Sequence, residues 1–282
     1  MSPSPQTSSP LGENAVPPAA VASATARLRA AGCVFAEEEA ALLAEAAATS
    51  GGDRLAALDR LVERRAAGHP LEHVVGWAEF AGLRIAVGPG VFVPRRRTEF
   101  LLSLARDLLA RAPVPVPVVV DLCCGSGAAA AALAASGHPA EVHAADIDPA
   151  ALVWARRNLA GAGDVHEGDL YAALPAALRG RVAVLVANVP YVPTADLPLL
   201  PAEARTHEPR VALDGGDDGL AVLRRVAAGA PEWLAPGSTL LVETTERQAD
   251  TAREVLAATG LDPALHHDEE RAATVLTGTR PA

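Results

Sequence analysis

The sequence predicts an α/β fold in which a mainly parallel, doubly wound sheet follows a small helical domain. Two patterns in the 282 residues support this prediction. After Pro113, short apolar runs that are typical of buried parallel strands alternate with segments of helical periodicity. Before Gly68, apolar residues recur at helical spacing. Because repeated strand–helix units bring their strands into one parallel sheet, helices are expected on both of its faces.

Changes in composition divide the chain into four segments. Residues 1–18 are rich in serine and proline and predict a disordered tail. Residues 19–68 predict an N-terminal helical domain. Residues 69–97 predict a linker that contains a β-hairpin at about 80–93, where two short apolar runs flank glycine-bearing turns. Residues 98–282 hold the strand–helix pattern and therefore the α/β domain.

Helix boundaries in the first half of the chain follow from charge, glycine and apolar spacing. Acidic residues 37–39 are expected to begin the second helix, and glycines 51–52 are expected to end it. A third helix over about 53–67 places four apolar side chains on one face: Leu55, Leu58, Leu61 and Val62. Thr98 is a candidate N-cap for the first amphipathic helix of the α/β domain.

The α/β domain is expected to contain strands at 116–122, 141–145, 182–187, 238–243 and 272–278. Its expected helices cover 128–135, a segment that begins at Pro149, and 247–258. Proline suits the first helical turn because its missing N–H has no partner there, and Asp148 is positioned to cap this helix.

Four residues at the end of strand 182–187 predict a ligand clamp: Asn188, Val189, Pro190 and Tyr191. Open α/β sheets bind ligands at the carboxyl ends of their strands. The Asn188 side-chain carbonyl can accept an N–H, and Tyr191 offers a flat aromatic face. Pro190 has a fixed φ and favours an extended conformation for Val189. Such a clamp suits a small planar group that carries an NH₂.

A cofactor site is expected where strand 116–122 enters a turn with two glycines. The glycine spacing fits a dinucleotide fingerprint loosely, and Asp146 ends the next strand, where an acid can bind ribose hydroxyls. Asp121 would repel a pyrophosphate but suits an ammonium or sulfonium, which favours S-adenosylmethionine. The expected cofactor contacts are Asp121, Cys123, Cys124, Gly125, Ser126, Gly127, Asp146, Ile147, Asp169, Leu170 and Asn188.

Two of these acids have a simpler interpretation. Asp121 can be a helix-capping or turn acid without contact to a ligand. Asp169 can border an adenine ring or cap the helix that follows it.

Composition limits the classes of partner. The formal net charge of −10 argues against a nucleic acid or an anionic membrane as the main partner. Three cysteines, two of them adjacent, favour a reducing compartment, and no apolar run approaches the length of a transmembrane helix. A cytoplasmic protein is therefore expected. No metal site is expected, because the adjacent His266 and His267 would face opposite sides of a strand.

Through these motifs the chain resembles the protein-(glutamine-N5) methyltransferases, which methylate the glutamine of a Gly-Gly-Gln motif in peptide-chain release factors. The segments that carry the resemblance are 70–73, 93–95 with 98–99, 121–127, 146–152, 169–170, 188–191 and 208–210. The resemblance implies a Rossmann-like methyltransferase domain that uses S-adenosylmethionine. It also implies a protein substrate, either a release factor or a ribosomal protein, and a substrate-recognition role for the helical domain.

The resemblance implies specific roles for the clamp and for residues at the entrance to the expected site. Asn188 Oδ1 and the Val189 carbonyl would each accept one N–H of the substrate amide, while Tyr191 packs on the amide face. The residues that it places at the substrate are Arg95, Thr98, Glu99, Asn188 and Tyr191. Glu99 can instead be an ordinary acid at a helix start. The other arginines of the run 95–97 are expected to be solvated.

Two departures from the family pattern predict a divergent paralogue. Val189 stands where the family clamp Asn-Pro-Pro-Tyr has its first proline, and Cys123 stands where the family usually has glycine. Three other functions remain possible from the residues alone. One is an N6-adenine methyltransferase, since that chemistry also clamps an NH₂. The others are a cofactor-binding module without turnover and, less favoured, a dehydrogenase.

Overall fold

A computed structural model describes residues 15–282, which fall into two compact units that meet in sequence at Gly76 and Trp77. Most of the expected tail, residues 1–14, lies outside the described residues. Pro18, the last residue assigned to that tail, already begins the first helix. The first unit extends beyond the expected boundary at residue 68, because a short fourth helix belongs to it.

The first unit is helical. Its helices are α1 (Pro18–Ala30), α2 (Ala36–Thr49), α3 (Arg54–Ala66) and α4 (Leu71–Val75). Leu28, Leu43 and Val62 are fully buried in its apolar core. Asp53 caps α3 by accepting the Leu55 N–H at 2.9 Å. The Leu55 side chain was expected on the apolar face but is 45 % exposed, because it lies in the first turn of α3, at the edge of the core.

The second unit begins with a two-stranded antiparallel hairpin, β1 (Trp77–Phe80) and β2 (Leu83–Ala86). The hairpin was expected at about 80–93, so its predicted position was wrong. Ala81 and Gly82 both have positive φ, which suits a tight two-residue turn between right-twisted strands. That turn pairs the residues on its two sides, and the segment after Ala86 makes no strand.

A seven-stranded sheet forms the rest of the second unit. Its strands are β3 (Val118–Leu122), β4 (Glu141–Asp146), β5 (Asp164–Glu167), β6 (Val182–Ala187), β7 (Leu234–Thr244), β8 (Asp262–Asp268) and β9 (Ala273–Thr279). Their spatial order is β5-β4-β3-β6-β7-β9-β8. The first five strands are parallel, while β9 runs antiparallel to both of its neighbours. The predicted mainly parallel sheet is confirmed.

Six α-helices belong to this unit: α5 (Thr98–Ala110), α6 (Ala128–Ala134), α7 (Pro149–Leu159), α8 (Ala202–His207), α9 (Ala221–Trp233) and α10 (Ala249–Ala258). Two apolar clusters, one on each face of the sheet, form its core. The predicted cap of α7 is present, since Asp148 accepts the Ala150 N–H at 2.9 Å. Sequence reasoning missed α9, whose pattern is interrupted by Gly229 and Pro231, and the half-exposed strand β8.

Connections reverse direction at β3, which lies between β4 on one side and β6 on the other. Crossovers that leave such a strand pair in opposite directions open a crevice at the carboxyl ends. Asp121, Asp146 and Asn188 all lie at this edge of the sheet. The topology therefore brings the predicted cofactor acids and the predicted clamp to one place.

No helix among residues 15–282 combines the length and the apolar character that a bilayer-spanning segment needs.

The central strand β6 should dominate the stability of the second unit. Leu185 is fully buried there, and its replacement by alanine should lower the free energy of unfolding by about 2–5 kcal/mol. Leu199→Ala is the matched control, because that side chain is 80 % exposed and its removal should cost less than about 0.5 kcal/mol. Urea unfolding of the two variants measures both values. Equal destabilisation would contradict the assignment of β6 to the core.

Candidate active site

A cavity of about 680 Å³ opens at the carboxyl ends of β3, β4 and β6. It brings together nearly all of the residues that the sequence assigned to the site. Those that line it are Arg95, Thr98, Asp121, Cys123, Cys124, Gly125, Ser126, Asp146, Ile147, Asp169, Leu170, Asn188, Val189, Pro190 and Tyr191. Gly127 and Glu99 do not line it.

The turn after β3 is held in the left-handed backbone region at Cys123, Gly125 and Gly127. Gly127 has a packing role rather than a place in the cavity wall. A Cβ at this position would lie 3.0 Å from Ala155 Cα, so its absence lets the start of α6 approach α7. A Cβ at Gly125 would meet nothing within 4 Å. Burial raises the pKa of both Cys123 and Cys124, so these thiols stay protonated and unreactive at neutral pH.

Asp121 combines the two roles that the sequence left open. Its Oδ2 accepts the Ala130 N–H at 3.0 Å and so caps α6, and the same side chain lines the cavity. Burial raises the pKa of Asp121 to about 7, against the effect of the Ala130 N–H, and the nearby Asp146 carboxylate adds to the increase. A positive charge on a ligand would favour the ionised form and so oppose both of these effects.

Asp146 binds the turn directly. Its Oδ2 accepts the Gly125 N–H at 2.8 Å and its Oδ1 accepts the Asp148 N–H at 2.9 Å. Burial raises the pKa of Asp146. A carboxylate has about four lone-pair sites, so these two bonds leave acceptor capacity on both oxygens.

Asp169 is paired with an arginine. Its Oδ2 accepts a hydrogen bond from Arg225 at 2.6 Å. Asp169 also precedes a short 3₁₀ helix, Leu170–Ala173, but its side chain makes no capping hydrogen bond there. Asp169 therefore occupies the expected N-cap position, but its side chain is engaged by Arg225 and lines the cavity.

The clamp residues occupy different environments. Asn188 is half-buried, and its Nδ2 donates to Thr98 Oγ1 at 3.4 Å. The Val189 side chain is only 2 % exposed and packs in the apolar cluster on one face of the sheet. The Tyr191 hydroxyl donates to Glu243 Oε1 at 3.1 Å and accepts a hydrogen bond from Arg97. Burial, followed by the neighbouring Glu243 carboxylate, raises the pKa of Tyr191, so its hydroxyl keeps its proton.

The sequence predicted that Thr98 caps α5, but the structure shows that it does not. It is the first residue of that helix, and its buried hydroxyl donates to Glu243 Oε2 at 2.6 Å. Arg97 Nε donates to Glu243 Oε1 at 2.9 Å. The hydroxyl does not cap the helix because Thr98 lies inside its first turn, one residue after the N-cap position at Arg97.

The cavity mouth holds a second arginine–glutamate pair. Arg95 donates to Glu208 Oε1 at 2.5 Å, and the Val93 N–H points to the same oxygen at 3.3 Å. Burial raises the pKa of Glu208, and the Arg95 charge opposes this increase. Arg95 and Arg97 are thus both ion-paired, so the expectation that only one member of the run 95–97 would be engaged was wrong.

Glu99 has a structural contact outside the cavity. Its Oε1 accepts the Ala81 N–H at 2.9 Å and so holds the turn between β1 and β2. The expected place of Glu99 beside the substrate therefore has no support in the cavity lining.

The predicted site residues leave out three that organise the site, namely Arg97, Glu208 and Glu243. Glu208 lies in segment 208–210, which carries the family resemblance, but the sequence assigned it no role. A signal for Glu243 was present, because an acid that ends an apolar strand at the carboxyl edge of a sheet is expected near the ligand. The arginine pairs gave no comparable signal, since their partners are more than a hundred residues away in sequence.

Comparisons with known proteins agree with this geometry. A family model described as a methyltransferase domain matches residues 119–207. The release factor glutamine methyltransferase of Mycolicibacterium smegmatis is 40 % identical, with 93 % of this chain and 97 % of that protein covered. The enzyme of the same name from Deinococcus radiodurans is 40 % identical over 87 % of this chain and 91 % of that protein.

A third relative with that name, from Streptomyces coelicolor, is 41 % identical over 67 % of each chain. Among solved structures, a methyltransferase from Pyrococcus furiosus superposes with a TM-score of 0.52 at 16 % identity. That match covers 71 % of this chain and 90 % of the other, and it supports the fold alone.

Proposed function

The chain belongs to the release factor glutamine methyltransferase family, and from this premise we propose that it methylates the side-chain nitrogen of a glutamine in a peptide-chain release factor. The methyl donor is S-adenosylmethionine. The observation that carries the proposal is the position of Asn188 and Tyr191. Both line the cavity that Asp121 and Asp146 enter from the neighbouring strands. A cytoplasmic location follows from such a substrate.

The residues of the cavity fit a cationic, ribose-containing donor. Asp146 keeps free lone pairs on both oxygens, which suit two ribose hydroxyls. Asp121 has a raised pKa because it is buried beside another acid, so it favours a ligand with an ammonium and a sulfonium over a pyrophosphate. Asp169 and Leu170 are proposed to border the adenine. When bound, S-adenosylmethionine supplies a methyl group on a positively charged sulfur.

The clamp has to orient a weak nucleophile. An amide nitrogen shares its lone pair with its carbonyl, so correct aim matters more than a strong base. We propose that Asn188 Oδ1 and the Val189 carbonyl each accept one N–H of the substrate amide, which fixes the plane of that amide. Positioning of this kind can supply roughly 7–11 kcal/mol of barrier reduction. The nitrogen becomes acidic on methylation, so its proton can pass to water.

The substrate side of the cavity is formed by the clamp and the mouth. The Tyr191 ring is proposed to contact the face of the amide, while its hydroxyl is held by Glu243 and Arg97. Arg95 and Thr98 line the same region. We also propose that the helical domain recognises the protein substrate, which would extend the contact beyond a single side chain.

The charge of the cavity argues against the alternative of a nucleic-acid substrate. The three arginines that line it are each paired with an acid: Arg95 with Glu208, Arg97 with Glu243 and Arg225 with Asp169. Paired guanidinium groups have little charge left for a phosphate backbone, which supplies most nucleic-acid affinity.

The proposed function predicts one added methyl on one glutamine. The purified enzyme, given S-adenosylmethionine and unmodified release factor, should methylate the glutamine of the Gly-Gly-Gln motif, as read by peptide mass spectrometry. A release factor with that glutamine changed to asparagine is the matched control and should stay unmodified. Transfer to DNA or RNA, with none to release factor, would contradict the proposal. Cofactor binding without transfer to either would support a binding module instead.

Removal of the clamp amide should separate binding from turnover. Asn188→Ala should lower kcat about 100-fold or more, because the substrate amide loses one of its two acceptors. The Kd for S-adenosylmethionine should change little, since the acids that bind the donor remain. Calorimetry and steady-state kinetics measure the two effects. A variant that keeps the parental kcat would remove Asn188 from the mechanism.

Asp121 should make donor binding pH-dependent. Its pKa is about 7 in the free protein, so it is mainly protonated at pH 6 and mainly charged at pH 7.5. A cationic ligand favours the charged form of Asp121. Binding should therefore weaken as the pH falls from 7.5 to 6, and the Kd should rise roughly tenfold. The α-amino group of the ligand titrates in a similar range and gains charge on acidification, which acts in the opposite direction.

Asp121→Asn is the matched control for this titration, because it keeps a hydrogen-bond acceptor for α6 and loses the ionisable group. The part of the weakening at pH 6 that comes from Asp121 should disappear in the variant, and only the titrations of the ligand and of Asp146 should remain. The same weakening in both proteins would reject the proposed place of Asp121 near the positive charge.

A further inference from the structure

Asn188 is the last member of a chain of hydrogen bonds that begins at Glu243. This acid lies next to the carboxyl end of β7 and is only 3 % exposed. Its Oε2 accepts the Thr98 hydroxyl at 2.6 Å, and Thr98 Oγ1 faces Asn188 Nδ2 at 3.4 Å. The three side chains come from β7, α5 and the end of β6, so the chain crosses three separate elements.

The direction of each bond in this chain is fixed by the chemistry of its groups. A carboxylate only accepts hydrogen bonds, so the single hydroxyl proton of Thr98 must point to Glu243. The hydroxyl then offers only lone pairs to Asn188. The asparagine must present its NH₂ to Thr98, and its carbonyl oxygen is turned away from it. A side-chain amide has two nearly isosteric orientations, and this chain selects one of them.

Glu243 also holds the other polar member of the clamp. Its Oε1 accepts the Tyr191 hydroxyl at 3.1 Å and Arg97 Nε at 2.9 Å. The arginine supplies a positive charge beside the buried acid. One buried acid therefore binds two groups that lead to the clamp, Thr98 through Oε2 and Tyr191 through Oε1.

We propose that Glu243 is a positioning residue for methyl transfer, which acts through Thr98 to direct Asn188 Oδ1 toward the substrate amide and acts directly on Tyr191. This inference rests on the proposed function, because the correct orientation is the one that accepts a substrate N–H. With the amide reversed, Asn188 would present a donor to another donor and would repel the group that it has to hold.

Thr98→Val tests the relay with little change in volume. The valine cannot accept from Asn188, so kcat should fall about 10-fold to 100-fold, while the Kd for S-adenosylmethionine stays near its parental value. The Tm should fall moderately, because the buried Glu243 Oε2 loses a hydrogen-bond donor, so the kinetics are measured well below the Tm of the variant. Thr98→Ser restores the hydroxyl and should recover most of the lost kcat. Thr239→Val is the matched control, since Thr239 is buried on the same strand as Glu243 and bonds only to Thr279 among the described side chains.

Glu243→Gln tests the source of the orientation. Glutamine can offer an NH₂ to Thr98, which frees the hydroxyl proton to point at Asn188 and permits the reversed amide. The kcat of this variant should fall at least as far as that of Thr98→Val. The double variant should be no worse than Glu243→Gln alone, because both changes break the same relay. Additive losses would overturn the inference, as would a parental kcat in Thr98→Val.

A measurement without turnover keeps this test separate from the proposed function. The Asn188 side-chain NH₂ can be assigned in a ¹⁵N NMR spectrum by its loss in Asn188→Ala. Its hydrogens should exchange slowly in the parent and in Thr98→Ser, and should exchange faster in Thr98→Val and Glu243→Gln. Unchanged exchange in the last two variants would overturn the relay. If the parent failed to methylate release factor, the proposed function would fail, while the NMR result would still decide the orientation.

Discussion

The register of three parallel strands is the constraint on which the site depends. Leu122 of β3 lies opposite Ala145 of β4 on one side and opposite Ala187 of β6 on the other. Asp146 directly follows Ala145, and Asn188 directly follows Ala187, so both lie one residue beyond a partner of Leu122. A shift of one residue in either pairing would turn the side chain to the opposite face. The acid and the amide meet at one height because apolar packing on both faces fixes this register.

Buried charge then divides the cavity into two regions. Asp121 and Asp146 accept hydrogen bonds from backbone N–H groups, and no described guanidinium forms an ion pair with either acid. Glu208 and Glu243 are buried too, but each is paired with an arginine from the segment that leads into α5. The first region favours a cation, and the second is nearly neutral. The first region thus suits a cationic methyl donor, and the second suits an uncharged amide.

The sequence predicted the parallel sheet because its buried strands are continuous apolar runs, and it predicted the clamp because polar residues end one of those runs. Local patterns could not predict contacts made by tertiary packing. Thr98 has the sequence features of a helix cap, but the helix begins at Thr98 itself, and its hydroxyl donates a hydrogen bond to Glu243, 145 positions away. Glu99 has the features of a site residue, but it holds the Ala81 amide. Leu55 fits the apolar spacing of α3 and is nevertheless exposed, because the core does not extend to the first turn of that helix.

The proline that the family has at position 189 is not the main support of the clamp. Val189 is buried in the core, which anchors the strand side of the turn. On the other side, the Tyr191 carbonyl accepts from Gln248 Nε2 at 2.9 Å, and a Cβ at Gly219 would lie only 2.3 Å from both of these atoms. Gly219 therefore permits a close contact that holds Tyr191 from the backbone, while Glu243 holds its hydroxyl. Pro190 restricts Val189 to extended backbone between these anchors. These contacts hold the turn on both sides, so the clamp can keep its shape without the first proline.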